Sequence, residues 1–179
     1  MSTLVRWFVA TCVSFAVAAP LALAQEVSSA DVKKTIAAFE FKDPTMKERF
    51  KSAYAYAVFP DLEKGGVVLA AGGGYGQVFE RGKSIGTAKV TQITIGATVG
   101  AQDYSEVIFF QDKPALDRFR ANKLEFDANA SAVVSKSGAS SSADYRNGVV
   151  VFTMAKEGVM VEAAIGGQKF EFTPQGMKK

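Results

Sequence analysis

Residues 93–102 read ITIGATVGAQ, and this stretch has the clearest two-residue period in the chain. Isoleucine, alanine and valine alternate there with threonine, glycine and glutamine, so one face is apolar and the other is lined by small or polar side chains. Strict alternation of this kind is typical of a half-buried β-strand. The stretch therefore predicts a domain that is built on a sheet.

Further strands are predicted on both sides of this stretch. Before it, an apolar run at 67–71 enters the glycine cluster 72–76, and a turn follows at 80–83. After it come an apolar run at 107–110, an alternating stretch at 126–132, and two hairpins formed by 148–154, 159–165 and 168–172. Runs of strands with helices before and between them indicate an α+β fold with an antiparallel sheet. Glycines at alternate strand positions permit tight bending, so we expect a strongly curled, barrel-like sheet.

Helices are predicted mainly at the start of this domain. From Val27 to Tyr56 the apolar residues follow a helical period, with Ser28 placed to cap the first helix. Asp43 and Pro44 interrupt the pattern as an N-cap and a first helical residue would, so we expect two amphipathic helices in succession. A short helix between strands is predicted to open at residues 112–114.

Residues 1–24 have the pattern of a secretory signal peptide. Arg6 is their single charged side chain, residues 7–19 are mostly apolar, and Ala22-Leu23-Ala24 forms a cleavage signature before Gln25. A retained membrane anchor and a lipoprotein acceptor at Cys12 are the alternatives. The sequence thus predicts a single domain over 25–179 in an exported protein, either periplasmic or associated with the outer membrane.

The composition excludes several classes of function. The chain has no histidine, which excludes Ser-His-Asp and Cys-His catalysis and any zinc site that needs imidazole. The G-x-S-x-G pattern at 82–86 therefore has no base to activate its serine, and we expect neither an enzyme, a metal nor a cofactor. Without the leader, the net charge of +3 falls to +2, which provides no general field for nucleic acid.

The glycines of the predicted sheet, at positions 72, 73, 74, 76, 96 and 100, allow two interpretations. They could let a ligand approach the backbone in a narrow apolar groove, or they could relieve crowding between neighbouring strands. The second interpretation is the simpler one.

Basic side chains are frequent in the helical region. They are Lys33, Lys34, Lys42, Lys47, Arg49 and Lys51. Amphipathic helices with lysines beside an apolar stripe can lie on an anionic membrane. On composition alone, the same pattern also fits helices that pack their stripe on a sheet and turn their charges to water.

Five ordered blocks resemble the SYLF lipid-binding domain. The first is Ala57-Val58-Phe59-Pro60-Asp61-Leu62-Glu63-Lys64-Gly65-Gly66 with the glycines to Gly76, and the others lie at 95–102, 106–110, 126–131 and 156–159. The resemblance covers nearly all of residues 25–179. It implies a non-catalytic module that binds membrane lipids through a basic N-terminal amphipathic helix, and in some eukaryotic relatives also binds actin.

The resemblance also suggests where lipid would bind. It implies that Lys64, beside Gly65 and Gly66, holds a phosphate near accessible amides, together with the basic residues of the helices. The serine-rich segment 135–142 replaces a Gly-Pro-rich stretch of the family. For an exported protein, an anionic bacterial phospholipid is the expected partner in place of a phosphoinositide. The alternative is a structural or protein-interaction module of the envelope.

Overall fold

The computed structural model describes residues 27–65, 69–95, 101–124, 131–133, 143–156 and 167–176. Its helices are α1 (Ser29–Lys42), α2 (Met46–Ser52) and α3 (Lys113–Arg120). Its strands are β1 (Ala55–Gly65), β2 (Leu69–Glu80), β3 (Lys83–Ile95), β4 (Ala101–Phe110), β5 (Ser131–Val133), β6 (Val149–Ala155) and β7 (Gln168–Pro174). The predicted leader, Gly66, the serine-rich segment and the strand predicted at 159–165 lie outside these residues.

The strands form one sheet with the order β5-β6-β4-β1-β2-β3-β7 among the described residues. All neighbours are antiparallel except β5 and β6, which are parallel. Strands β1 to β4 follow the Greek-key order, in which the fourth strand returns to lie beside the first. The predicted α+β class and the antiparallel sheet are confirmed.

The predicted barrel is wrong, because the sheet is open. Strands β5 and β7 end it, and each pairs with a single neighbour in the described part of the chain. A barrel would enclose one face of the sheet. Here both faces are covered by helices instead, so the sheet has no need to close on itself.

Each covered face carries its own apolar cluster. On one face, α1 and α2 contribute Val32, Phe39 and Met46, which pack against residues of β1, β4 and β6. On the other face, α3 contributes Leu116 and Phe119, which pack with β1, β4 and β7. We call these two surfaces the α1–α2 face and the α3 face. Strand β1 lies at the centre and has buried residues pointing both ways.

The predicted helices begin where local capping chemistry places them. The Ser28 side chain accepts a hydrogen bond from the backbone of Ala30, and the Asp112 side chain accepts one from Ala115 at 2.8 Å. Helix α2 is the exception: it begins at Met46 with Thr45 before it, so the predicted N-cap Asp43 and first residue Pro44 are wrong, and the Asp43 side chain accepts hydrogen bonds from the backbone and hydroxyl of Thr45. The second helix ends at Ser52 and not near Tyr56, because the chain from Ala55 onward is buried on both sides in β1.

The hairpin between β2 and β3 contains the G-x-S-x-G pattern. Arg81 and Gly82 both have positive φ angles, 49° and 75°, as a two-residue turn of this kind requires. Ser84 then enters β3, where its hydroxyl oxygen accepts a hydrogen bond from Gln77. The setting is strand-turn-strand, so the pattern does not form the strand-turn-helix elbow of a serine hydrolase.

The stretch 93–102 is not one strand, because β3 ends at Ile95 and β4 begins at Ala101, and β3 is buried on the face opposite to the one its apolar pattern indicates. Gln92 is only 2% exposed, whereas its neighbour Ile93 is 54% exposed. Ala88 and Val90 share the buried side with Gln92. The glutamine is accommodated because its side-chain oxygen accepts a hydrogen bond from the hydroxyl of Tyr104.

Candidate functional site

The solvent side of α1 and α2 is rich in cations. The side chains of Lys33, Lys34, Lys42, Lys47 and Lys51 are all exposed there. Lys34 and Lys51 approach Asp31 and Glu48 one helical turn away, at 3.9 Å in both cases. Exposed ion pairs of this kind contribute at most about 1 kcal/mol to stability. The lysines can therefore readily leave these carboxylates and bind another anion. Six of the nine predicted site residues thus lie on two adjacent helices, and the five lysines among them are exposed.

An exposed aromatic ring lies among these lysines. Phe41 is 90% exposed, although Phe39, two residues earlier, is completely buried in the α1–α2 face. Lys34, Ala37 and Phe41 follow one another at helical spacing along the outer side of α1. Sequence reasoning missed Phe41 because it followed the stripe of Val32, Ile36 and Phe39. The sequence does contain a signal for this residue, because Phe41 is an apolar side chain that lies outside the stripe.

Arg49 differs from the lysines around it. Its guanidinium donates a hydrogen bond to the backbone oxygen of Ala143 and lies 5.1 Å from the ring centre of Phe152. It also lies 5.9 Å from the ring centre of Tyr145. Because these contacts tie α2 to β6 and the segment before it, Arg49 has a structural role that the sequence pattern did not indicate.

Lys64 and Gly65 lie at the end of β1. In the sheet, Lys64 is paired with Gly72 and Gln102, and Gly65 with Ala71 and Ala101. Their backbone therefore belongs to a strand with neighbours on both sides, which differs from the freely accessible turn that the sequence suggested.

A cavity of about 520 Å³ lies between the start of α1 and the glycines of β2. Its charged lining residues are Asp31, Asp61, Glu63 and Lys89. Three carboxylates against one ammonium make this cavity a poor site for an anionic headgroup. The geometry favours the exposed helix surface over the glycine groove.

The glycines of β2 relieve crowding between strands. A Cβ atom added to Gly73 would lie 2.3 Å from the backbone oxygen of Val90, and one added to Gly74 would lie 2.1 Å from that of Asp61. Gly76 is similarly crowded by Val58. The simpler of the two sequence interpretations therefore accounts for these three positions.

A second notable site is the buried carboxyl of Glu106 on β4. It is 0% exposed and accepts a hydrogen bond from the side-chain amide of Gln168, at 2.9 Å. Burial raises the pKa of Glu106 to about 7, and the Gln168 hydrogen bond acts in the opposite direction. The sequence predicts a buried apolar strand at 107–110 but a solvated carboxylate at Glu106, near Asp103, and that second prediction is wrong.

Among residues 27–65, 69–95, 101–124, 131–133, 143–156 and 167–176, no three acidic, cysteine or histidine side chains come together as a metal site would require. Within the same ranges, every helix is too short or too polar to cross a bilayer.

Comparison with known proteins links the chain to one family. Residues 91–175 match the family model Ysc84, described as a Las17-binding protein and actin regulator. Beta cell expansion factor A of Aeromonas veronii is 30% identical over 130 residues, which is 72% of this chain and 49% of that protein. The chain thus spans about half the length of this curated relative.

Proposed function

The chain belongs to the SYLF family, that of the Ysc84 model, and from this premise we propose that it is a non-catalytic protein that binds anionic phospholipids peripherally. The observation that carries the proposal is the exposed ring of Phe41 within a group of exposed lysines. A ring that is 90% exposed has no packing role in the described part of the fold. It has the chemistry to enter the boundary between lipid headgroups and acyl chains while the lysines meet phosphate.

The expected energies are sufficient for reversible binding. Full burial of a phenylalanine side chain contributes about 1.5–3 kcal/mol. Each lysine near an anionic surface adds up to about 1 kcal/mol. This contribution decays over one Debye length, which is about 10 Å at 0.1 M salt. Phe41 with three or four lysines therefore supports micromolar to millimolar binding that weakens as salt is added.

The proposed partner is an anionic phospholipid of the bacterial envelope, in keeping with the leader predicted at residues 1–24. A protein-interaction role is the second candidate. The observation in its favour is the description of the matching family as a Las17-binding actin regulator. Co-sedimentation with actin filaments, in the absence of vesicles, separates this candidate from the first.

Vesicle co-sedimentation tests the proposal. The protein without residues 1–24 is mixed with vesicles of phosphatidylcholine alone, or with phosphatidylglycerol added, over a salt series. Phe41→Ser is expected to weaken binding to the anionic vesicles about tenfold, because the inserted apolar area is lost. Ile93→Ser is the matched control, since Ile93 is also exposed but lies on β3.

Charge reversal tests the electrostatic part. Lys47→Glu on α2 is expected to weaken vesicle binding at low salt and to have little effect at high salt. Lys123→Glu is the control, because Lys123 lies beyond α3 on the opposite side of the sheet, and it should leave vesicle binding unchanged. Lys64→Glu tests the subsite suggested by resemblance, with weaker binding and unaltered thermal stability expected. Equal binding of the parent protein to both vesicle types, or to neither, would contradict the proposal.

A further inference from the structure

The carboxyl of Glu106 joins two strands that are not neighbours in the sheet. Glu106 lies on β4, and Gln168, its hydrogen-bond donor, lies on the edge strand β7. Thr153 of β6 is the direct cross-strand partner of Glu106. All three side chains lie on the α3 face, together with Gln92 and Tyr104. The hydrogen bond thus spans this face and holds the start of β7 against the middle of the sheet.

This polar cluster is incompletely bonded. Glu106 Oε1, Thr153 Oγ1 and Gln168 Oε1 are buried and have no hydrogen-bond partner within the described structure. An unpaired buried polar atom costs about 1–3 kcal/mol, and a buried carboxylate that lacks compensation costs more. The three atoms form a site that can accept a proton and use it for a further hydrogen bond.

No charged side chain in the described ranges faces Glu106 from the elements packed around it. Phe59 of β1 is its partner on one side and Thr153 of β6 on the other. The helix α3 turns Leu116 and Phe119 inward. Tyr104, two residues earlier on β4, is a titratable group on which the charge of Glu106 acts; burial, followed by that charge, raises its pKa, so it stays neutral. A proton is therefore the simplest means of neutralising the carboxylate.

We propose that Glu106 is a proton-binding site that controls how firmly the edge strand β7 is held on the sheet. When the carboxyl is neutral, its O–H can donate to Thr153 Oγ1, or to Gln168 Oε1 once the amide has turned over. When it is ionised, a charge lies among apolar side chains, and the amide of Gln168 is its donor in the described structure. The pKa of Glu106, which burial raises to about 7, places this change near neutral pH.

Strand β7 is the element that yields when the charge forms. It pairs only with β3 in the described sheet, whereas β4 pairs with both β1 and β6. On this face it is also held by the Phe170 ring, which lies 5.0 Å from that of Phe119 and 5.9 Å from that of Phe59, by Arg120 over the Phe172 ring, and by the bond from the Phe170 backbone to Asn122. Withdrawal of Gln168 admits water to the carboxylate without breaking the central pairing. Local opening of this kind is typical of an edge element.

Hydrogen exchange tests the proposal directly. Protection factors, corrected for the intrinsic pH dependence of exchange, are measured for amides 169–173 at pH 5.5 and pH 8.5. In the parent protein, protection is expected to fall about tenfold or more at the higher pH, while amides 106–109 of β4 keep theirs. Glu106→Gln should remove the pH dependence, because the amide cannot ionise. Glu171→Gln, an exposed glutamate on the same strand, should retain it.

A second measurement does not depend on any variant. The side-chain carboxyl carbon of Glu106 is followed by NMR during a pH titration of the parent protein. A midpoint between about 6 and 8 agrees with the proposal. A midpoint below 5, or equal loss of β7 protection in the parent protein and in Glu106→Gln, would overturn it.

Discussion

Raising the pH from 5 to 8 is expected to lower the free energy of unfolding through Glu106. In the unfolded chain this carboxyl has its ordinary pKa of 4.5, and burial raises the pKa to about 7 in the fold. Between these two values the folded protein binds a proton that the unfolded chain has released. Stability therefore decreases as the pH rises through this window, and the contribution of Glu106 becomes constant above about pH 7.

The magnitude follows from the separation of the two pKa values. One pKa unit corresponds to about 1.4 kcal/mol, so a window from pH 5 to about 7 costs about 3 kcal/mol at most. For a domain of this size, that loss lowers the melting temperature by roughly 5–12 °C. If β7 opens locally when Glu106 ionises, part of the cost is relieved, and the loss is smaller than this limit.

The assay compares the parent protein with Glu106→Gln by urea unfolding at pH 5, 6, 7 and 8. Far-UV circular dichroism is the appropriate signal, because the single tryptophan, Trp7, lies in the predicted leader. The other carboxyl groups titrate alike in both proteins, so the difference between the two stabilities isolates Glu106. From pH 5 to pH 8, the variant should become more stable relative to the parent protein by about 1–3 kcal/mol. Parallel profiles over this range would refute the reasoning.

Two further predictions concern stability at a single pH. Gly74→Ala should destabilise the fold by about 2 kcal/mol or more, because the new Cβ would overlap a backbone oxygen of the central strand β1. Gly65→Ala, which has open space around it, should change stability by less than about 1 kcal/mol. Arg49→Ala should cost about 2 kcal/mol through its lost hydrogen bond and ring contacts, and Lys47→Ala less than about 0.5 kcal/mol. Both pairs are measured by thermal and urea unfolding.

Each pair contains its own control. Similar losses for the two glycine variants would show that the close approach of β1 and β2 does not determine the cost. If Arg49→Ala retained full stability but lost vesicle binding, Arg49 would belong with the lysines as a lipid contact and would not be a tie between α2 and β6.

Local chemistry explains which parts of the fold could be predicted. The beginnings of α1 and α3 depend on Ser28 and Asp112, whose side chains cap the helices within a few residues along the chain. The β2–β3 turn depends in the same way on Gly82 and its neighbour. Periodicity was equally informative for the α+β class, because it reflects the burial of one side of each element.

Long-range contacts explain why the other sequence-based predictions were wrong. Gln92 is buried and Ile93 exposed because the hydroxyl of Tyr104, on another strand, provides the partner that the glutamine needs. The position of Arg49 depends on Ala143, which is far away in the sequence. The burial of Glu106 depends on Gln168 in the same way. A single sequence pattern cannot contain such pairings, since each joins segments that only the fold brings together.

The pairing of β3 with β7 has a consequence for how the chain folds. This pairing joins Gly86 to Pro174, whereas the hairpins of β1, β2 and β3 join residues close in sequence. Because loops that bring distant segments together form slowly, β7 is expected to dock after the hairpins have formed. Until then β3 has an unpaired edge, which is the feature that leads partly folded chains to associate. Once docked, β7 replaces this 13-residue edge with its own edge of 7 residues, which is a shorter template for pairing with other copies.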